Sequence, residues 1–256
     1  MNNFLFGIYP YIAISVMIIG SIARYERDPF TWKSSSSQLL RRKQLILGSV
    51  LFHVGVLVIF FGHLIGLLTP ISLFHFLGVS NEFKQTLAVI AGGIAGMMAL
   101  TGGGILFYRR WTDPRIRKTS SFADIAILAL LLAQLVLGVG TIFISVQHLD
   151  GGEMVKFMAW AQGILTFQSG AADQVAEVAL IFKLHLVLGL TIFLVFPFTR
   201  LVHMLSVPLR YLTRPGYQVV RSRRQTALPK RDNTIAPASK TAVQTRPADP
   251  TTKPAE

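Results

Sequence analysis

Five long apolar runs, separated by polar segments, dominate the pattern of hydrophobic and polar positions along the chain. They lie at about 4–23, 45–68, 87–108, 125–146 and 178–205. An α-helix rises about 1.5 Å per residue, so each run is long enough to cross the hydrocarbon core of a bilayer. The pattern therefore predicts an all-α fold, a bundle of five transmembrane helices.

The composition agrees with a membrane protein and limits its metal chemistry. Of the 256 residues, 52% are hydrophobic, and the mean hydropathy is +0.52. The chain has no cysteine, which excludes disulfides, thiolate zinc sites and an iron–sulfur cluster bound by this chain alone. Any metal must therefore be bound through histidine or carboxylate side chains.

The distribution of charge predicts the topology. Basic residues, which give a net charge of +13, are concentrated in segments 24–44 and 109–118 and near the carboxyl terminus, whereas segment 147–177 is mainly acidic. Because basic loops stay on the cytoplasmic side, we expect the amino terminus outside, in the periplasm, and the carboxyl terminus in the cytoplasm. Topology and lipid contact account for the charge, so nucleic acid is not an expected partner.

The chain divides at about residue 221. Residues 1–221 contain all five runs, and we expect them to form the transmembrane domain. Residues 222–256 are rich in proline, threonine, alanine and basic side chains, which predicts a disordered cytoplasmic tail. No lysine or arginine precedes the first run and no small-residue cleavage site stands out after it, so we expect an uncleaved span there.

Four histidines lie in the second and fifth runs, two in each. His53 and His63 are ten residues apart, and His185 and His203 are eighteen residues apart. An imidazole in hydrocarbon needs a polar partner, so these residues require an explanation. Because the two spans run in opposite directions, their depths match in pairs: His63 with His185 on the outer side, and His53 with His203 on the inner side.

Helix geometry supports this pairing. Eighteen residues at ~100° each place His185 and His203 on one face, and His53 and His63 come out ~80° apart. Along the helix axis, the rise is ~15 Å between His53 and His63 and ~27 Å between His185 and His203. Tilt, helix crossing and a kink at Pro197 would have to absorb the difference. We therefore predict two haems stacked between spans 2 and 5, each bound by two axial histidines.

The four histidines also fit two roles that need no haem. Each imidazole could bond to a neighbouring helix, or the chain could be a haem-free transporter or assembly protein that uses its histidines for a substrate or metal. A single zinc or copper ion is less consistent, because ligands at two depths cannot converge on it. The sequence has no HExxH motif and no mid-span carboxylate, which excludes an intramembrane metalloprotease and a carboxylate proton relay.

Two basic residues lie close to the histidines of the fifth run. Lys183 is two residues from His185, and Arg200 is three residues from His203. Our hypothesis is that each pairs with haem propionates, since an ammonium or a guanidinium group matches a carboxylate. Extension of these long side chains towards the membrane surface explains both positions equally well.

Several motifs point to a known family. They are LFHVGVLVIFFGHLIGLLTP, AGGIAG, QHLDG, WAQGILTF and IFKLHLVLGLTIFLVFPFTRLVHMLSVPLRYLTR. In these motifs, and over about residues 6–214, the chain resembles the gamma subunit of respiratory nitrate reductase, the dihaem cytochrome b membrane anchor. The segment between Pro70 and Glu82, which contains His75, departs from the family pattern.

The resemblance implies specific roles for residues of this chain. It implies haem ligation at His53, His63, His185 and His203, with the outer haem on His63 and His185. It also implies quinol oxidation beside the outer haem. There Lys84 matches the family's lysine before the third span, and Gly62 matches the glycine before the ligand. Glu82 is a candidate proton acceptor in that scheme.

The function that follows is electron transfer across the bacterial inner membrane. The resemblance implies oxidation of ubiquinol or menaquinol on the periplasmic side, and delivery of the electrons through two b haems to the cytoplasmic beta and alpha subunits, for anaerobic nitrate respiration. The beta subunit would hold the iron–sulfur clusters, which this cysteine-free chain cannot bind. The nearest alternative is the cytochrome b subunit of another quinone-linked enzyme, such as a formate dehydrogenase or a hydrogenase.

Overall fold

The computed structural model describes residues 1–32 and 40–206. The predicted tail and part of the first basic loop fall in residues 33–39 and 207–256, outside the described residues. Within the described residues all regular structure is helical. Five helical segments there are long and apolar enough to span a membrane: Phe4–Arg27, Arg42–Leu68, Asn81–Thr112, Phe122–Ser145 and Leu180–Phe198. The all-α prediction with five spans is thereby confirmed.

The helices follow one another through short connections. A π-helical turn, Phe4–Ile8, leads into the first α-helix. The α-helices are α1 (Tyr9–Arg27), α2 (Arg42–Leu68), α3 (Ile71–Phe76), α4 (Asn81–Thr112), α5 (Pro114–Lys118), α6 (Phe122–Ser145), α7 (Gly152–Leu165) and α8 (Leu180–Val195). Short 3-10 segments are found at Pro29–Thr31, Ala171–Val175, Phe196–Phe198 and Arg200–Leu205.

The long helices pack in the order α2, α4, α6, α8, α1, and α7 packs against α2. Among the described residues, α2 and α8 share no comparably extensive backbone packing. We call the end of the bundle where α1 ends and α2 begins the basic end, since it carries Arg24, Arg41, Arg109 and Arg200. The opposite end, where Trp160 of α7 donates to the Phe6 carbonyl at 2.9 Å, is called the α7 end.

The fifth span is broken, where the sequence suggested one kinked helix. α8 ends at Val195, the 3-10 turn Phe196–Phe198 follows, and Thr199 is extended. Pro197 lies inside that turn, where its missing N–H and its ring prevent the helix from continuing. His203 therefore lies in a separate 3-10 segment, Arg200–Leu205, and the prediction that it shares a face of one continuous helix with His185 is wrong.

The start of α2 is fixed to the end of α4 at the basic end. The Nε atom of Arg41 lies 3.0 Å from a carboxylate oxygen of Asp113, and Arg109 donates to the Leu40 carbonyl. Burial raises the pKa of the Asp113 carboxyl group. Backbone N–H groups of Arg115 and Ile116 and the Arg41 charge outweigh that effect and hold this pKa below its usual range.

Helices α2 and α4 approach each other through small residues. A Cβ atom built on Gly55 would lie 2.7 Å from the backbone nitrogen of Ala99, and one built on Gly102 would lie 2.7 Å from the carbonyl oxygen of Gly48. Such distances are shorter than van der Waals contact, so no larger side chain fits there without moving the backbone. Small residues at this contact permit the close approach that membrane helices use for packing.

We expect the substitution Gly102→Ala to destabilise the bundle by about 1–3 kcal/mol, because its methyl group would push the α2 backbone away. The measurement is the unfolding midpoint of the purified protein in a detergent titration. The control is Gly104→Ala, since no side chain or neighbouring helix of the described part of the chain lies within 4 Å of the Cβ position there. An unchanged midpoint for Gly102→Ala would mean that the helices are not in close contact at this position.

Candidate functional site

The structure brings the four histidines together in the two pairs expected from their depths. The ring centroids of His63 and His185 are 6.3 Å apart, with 41° between the ring planes. Those of His53 and His203 are 6.4 Å apart, with 69° between the planes. The imidazole pairs thus connect α2 with α8 and with the 3-10 segment after it, where backbone packing is sparse.

Three of the four imidazoles are oriented by a backbone carbonyl. Nδ1 of His53 lies 2.7 Å from the Ser49 carbonyl, and Nδ1 of His63 lies 2.9 Å from the Ile59 carbonyl. Nδ1 of His203 bonds to the Arg200 carbonyl. A carbonyl only accepts, so Nδ1 must carry the proton. The unprotonated Nε2 then remains available to a metal, the arrangement usual for histidine ligands.

The spacing of each pair fits an iron atom between two imidazoles. Histidine–metal bonds of about 2.0–2.1 Å, as for zinc, would set two opposed ring centroids about 6 Å apart. His53 and His63 are exposed although they lie on an apolar helix. Among the described residues, and apart from its own helix backbone and its two chain neighbours, no atom lies within 4 Å of a Cβ built on Gly62 or Gly66. A flat group therefore has access to this face of α2, and the residues present fit two bis-histidine haems.

The fourth imidazole, that of His185, is held differently. Its Nε2 lies 3.3 Å from the amide nitrogen of Gln134 on α6, which also donates to the His185 carbonyl at 3.1 Å. Its Nδ1 is buried without a hydrogen-bond partner among the described residues. A Cβ on Gly138 would lie 3.0 Å from Cε1 of this ring, so a larger residue there would press against the ring. Sequence reasoning missed Gln134, although an amide inside an apolar run is itself a functional signal.

Lys84, the residue matched to the family's quinol lysine, is 7% exposed and lies in the first turn of α4. Its ammonium nitrogen is 3.0 Å from Sδ of Met158 on α7 and 3.8 Å from the centroid of the Phe74 ring on α3. A thioether is a weak acceptor and an aromatic face attracts cations. The ammonium group therefore keeps donor capacity for a stronger acceptor such as a quinone oxygen.

The remaining predicted residues around the two pairs have varied surroundings. Gly62 is exposed beside His63, and Glu82 is exposed in the first turn of α4, two residues before Lys84. Lys183 donates to the Ala176 carbonyl. Nε of Arg200 lies 3.0 Å from a carboxylate oxygen of Asp124. Both basic residues thus have protein partners, and their contacts with propionates stay predictions.

Comparison with known proteins identifies the family. The family model described as the nitrate reductase gamma subunit matches residues 2–223. The chain is 51% identical to the respiratory nitrate reductase 1 gamma chain of Escherichia coli over 223 residues, covering 87% of this chain and 98% of that one. It is 43% identical to the nitrate reductase gamma chain of Bacillus subtilis over 222 residues, covering 87% and 99% respectively.

The match extends over nearly the whole length of these relatives, and the range matched by the family model covers all five candidate spans and the positions of all four paired histidines. Sequence identities of 51% and 43% over nearly the whole of each relative indicate membership of the same family, and not only a shared fold. The chain therefore belongs to the nitrate reductase gamma subunit family, and it is a subunit of an oxidoreductase complex in which catalysis takes place on partner subunits.

Proposed function

We propose that this chain is a dihaem cytochrome b, which oxidises quinol and delivers the electrons to the iron–sulfur beta and molybdenum alpha subunits of a nitrate reductase. The observation that carries the proposal is the pair of imidazole–imidazole spacings, 6.3 and 6.4 Å, between α2 and the fifth span. When bound, two b haems supply one-electron redox chemistry within the membrane.

The residues of the chain would hold these groups from two sides. His63 and His185 would hold the haem at the α7 end, and His53 and His203 would hold the haem at the basic end. The carbonyl contacts to Nδ1 fix three of the rings and increase the basicity of Nε2 as a ligand. Lys183 and Arg200 lie close to one ligand in each pair, where their charges would neutralise propionates.

The proposed topology places the basic end in the cytoplasm of a bacterial cell and the α7 end in the periplasm. The support is the concentration of arginines at one end of the bundle, which retains that end on the cytoplasmic side of the inner membrane. Electrons then leave at the end where cytoplasmic beta and alpha subunits can dock. The basic surface there suits contact with partner subunits or anionic lipid.

Quinol would bind at the α7 end, beside Lys84. Oxidation of one quinol to quinone releases two electrons and two protons. The Lys84 ammonium would donate a hydrogen bond to a quinone oxygen in place of its present contacts with Met158 and Phe74. The exposed carboxylate of Glu82 is a proton acceptor on the same turn, and Gly62 leaves room beside His63. Protons would thus leave on the periplasmic side while electrons cross inward.

Family membership favours a nitrate reductase complex over the formate dehydrogenase and hydrogenase alternatives. Absorption spectroscopy distinguishes the dihaem proposal from the alternative of a haem-free transporter. The purified protein is expected to show two b haems per chain in a pyridine haemochrome assay and a reduced-minus-oxidised spectrum with a Soret band. No haem in a well-folded preparation would overturn the proposal.

Substitution of a ligand tests the assignment of the pairs. His63→Ala should lower the haem content from two per chain to about one, because the α7-end iron loses an axial ligand. His75→Ala, which changes an exposed histidine on α3, should leave both haems. Equal haem content in the two variants would show that His63 is not a ligand.

Lys84→Ala tests the quinol site. Stopped-flow mixing with a quinol should show haem reduction slowed roughly tenfold or more, since a charged hydrogen-bond donor stabilises a bound oxygen by more than about 1.4 kcal/mol. Lys156→Ala is the matched control, because Lys156 pairs with Glu153 on α7 at 2.7 Å instead. A normal rate in Lys84→Ala would place the quinol elsewhere.

Lys183→Met tests the propionate contact. Removing a positive charge beside a haem favours its oxidised form, so we expect a lower midpoint potential for the α7-end haem alone in a redox titration. Lys156→Met again controls for the loss of a surface lysine. A potential that stays at its parent value would mean that Lys183 only bonds to the Ala176 carbonyl.

A further inference from the structure

His203 is positioned by a break in the fifth span. After α8 ends at Val195, Thr199 adopts φ −118° and ψ 180°, and the 3-10 segment Arg200–Leu205 begins. Carbonyl oxygens at a helix end lose the N–H donors that a further turn would supply. Pro197 also removes a donor from the chain itself. The carbonyls at the break therefore need donors from another element if the segment is to hold one conformation.

Arg24, in the last turn of α1, supplies these donors. Its Nη1 donates to the Pro197 carbonyl at 2.8 Å and to the Thr199 carbonyl at 2.7 Å. Its Nε and Nη2 donate to the hydroxyl and the carbonyl of Thr31, at 3.2 and 3.1 Å. A planar guanidinium group can bridge several separated acceptors in this way, whereas all donors of an ammonium group lie on one nitrogen atom.

Gly20 brings α1 close enough for this bridge. It lies one turn before Arg24, and a Cβ at Gly20 would lie 2.8 Å from Cγ of Pro197. Pro197 is almost completely buried. Residues four apart share a helix face, so α1 contacts the break with one face at two successive positions.

Beyond the break the segment is well packed. Leu201 is 7% exposed and Val202 is fully buried, and Arg200 pairs with Asp124 of α6. His203 follows directly and meets His53 of α2. The depth of His203 in the membrane therefore depends on how the break is held, as well as on the position of α8.

We propose that Arg24 is a positioning residue for the axial pair at the basic end. By bonding to the Pro197 and Thr199 carbonyls, it fixes the place at which the segment Arg200–Leu205 presents His203 to His53. The described contacts of Arg24 are to the backbone and to Thr31, so it acts through the chain and not through the imidazole. This inference rests on the proposed dihaem function.

The experiment compares the parent protein with Arg24→Ala, Arg24→Lys and the control Arg27→Ala. Arg27 is an exposed arginine in the same last turn of α1, so its variant matches the change in charge. Two readouts are used on each purified protein. The first is haem content with electron paramagnetic resonance, which resolves the two low-spin ferric centres. The second is amide hydrogen exchange of residues 196–206, which does not depend on haem.

Arg24→Ala should lose or shift the signal of the basic-end haem only, and keep that of the α7-end haem. Amide exchange in residues 196–206 should rise by roughly tenfold or more, because charged hydrogen bonds stabilise this segment. Arg24→Lys should show smaller changes in the same direction, and Arg27→Ala should match the parent in both readouts.

Two results would overturn the inference. One is unchanged exchange and an unchanged basic-end signal in folded Arg24→Ala or Arg24→Lys. The second is equal loss of both haems in Arg24→Lys, which would make Arg24 a general support of the fold. Absence of haem from the parent would instead refute the proposed function, and the exchange data would still show whether Arg24 holds the segment.

Discussion

A neutral imidazole inside a membrane must satisfy one donor nitrogen and one acceptor nitrogen, and this requirement governs the centre of the bundle. Three of the four paired histidines satisfy the donor with a carbonyl of their own chain segment, three or four residues earlier. The acceptor nitrogen then has to be satisfied by something outside the helix. The two pairs meet across a separation that suits one shared atom between each pair of rings, and the dihaem proposal rests on this separation.

The rest of the structure holds the two sides of this separation in place. On one side, α2 lies against α4 through Gly55 and Gly102, so its path is set by backbone contact. On the opposite side, α8 lies between α6 and α1, and the segment after it is tied to both of these helices. The two elements that carry the paired histidines thus owe their positions to different neighbours, and they share little direct backbone packing with each other.

Periodicity and charge predicted the five spans and the pairing of His63 with His185 and of His53 with His203, because spans that run in opposite directions fix the relative depths of their residues. They did not predict the break after Val195. A proline in a membrane helix is compatible with a kink or a termination, and its surroundings include Arg24, whose contact with Pro197 spans 173 residues of sequence. The burial of Lys84 and its contact with Phe74 were missed for a similar reason. α4 begins at Asn81, within a segment whose polarity resembled a loop, and its partners come from α3 and α7.

The sparse packing between α2 and α8 has a consequence for biogenesis. Helices α2 and α8 meet mainly through the paired histidine side chains, so a ligand bound between those side chains would add to the stability of their contact, by the linkage that stabilises any protein whose native state alone binds a ligand. With the proposed haems bound there, haem insertion and completion of the contact between α2 and α8 would be one coupled process. Under the same proposal, a shortage of haem would leave the contact between α2 and α8 incomplete, and cellular quality control would then remove the subunit before an inactive form accumulated.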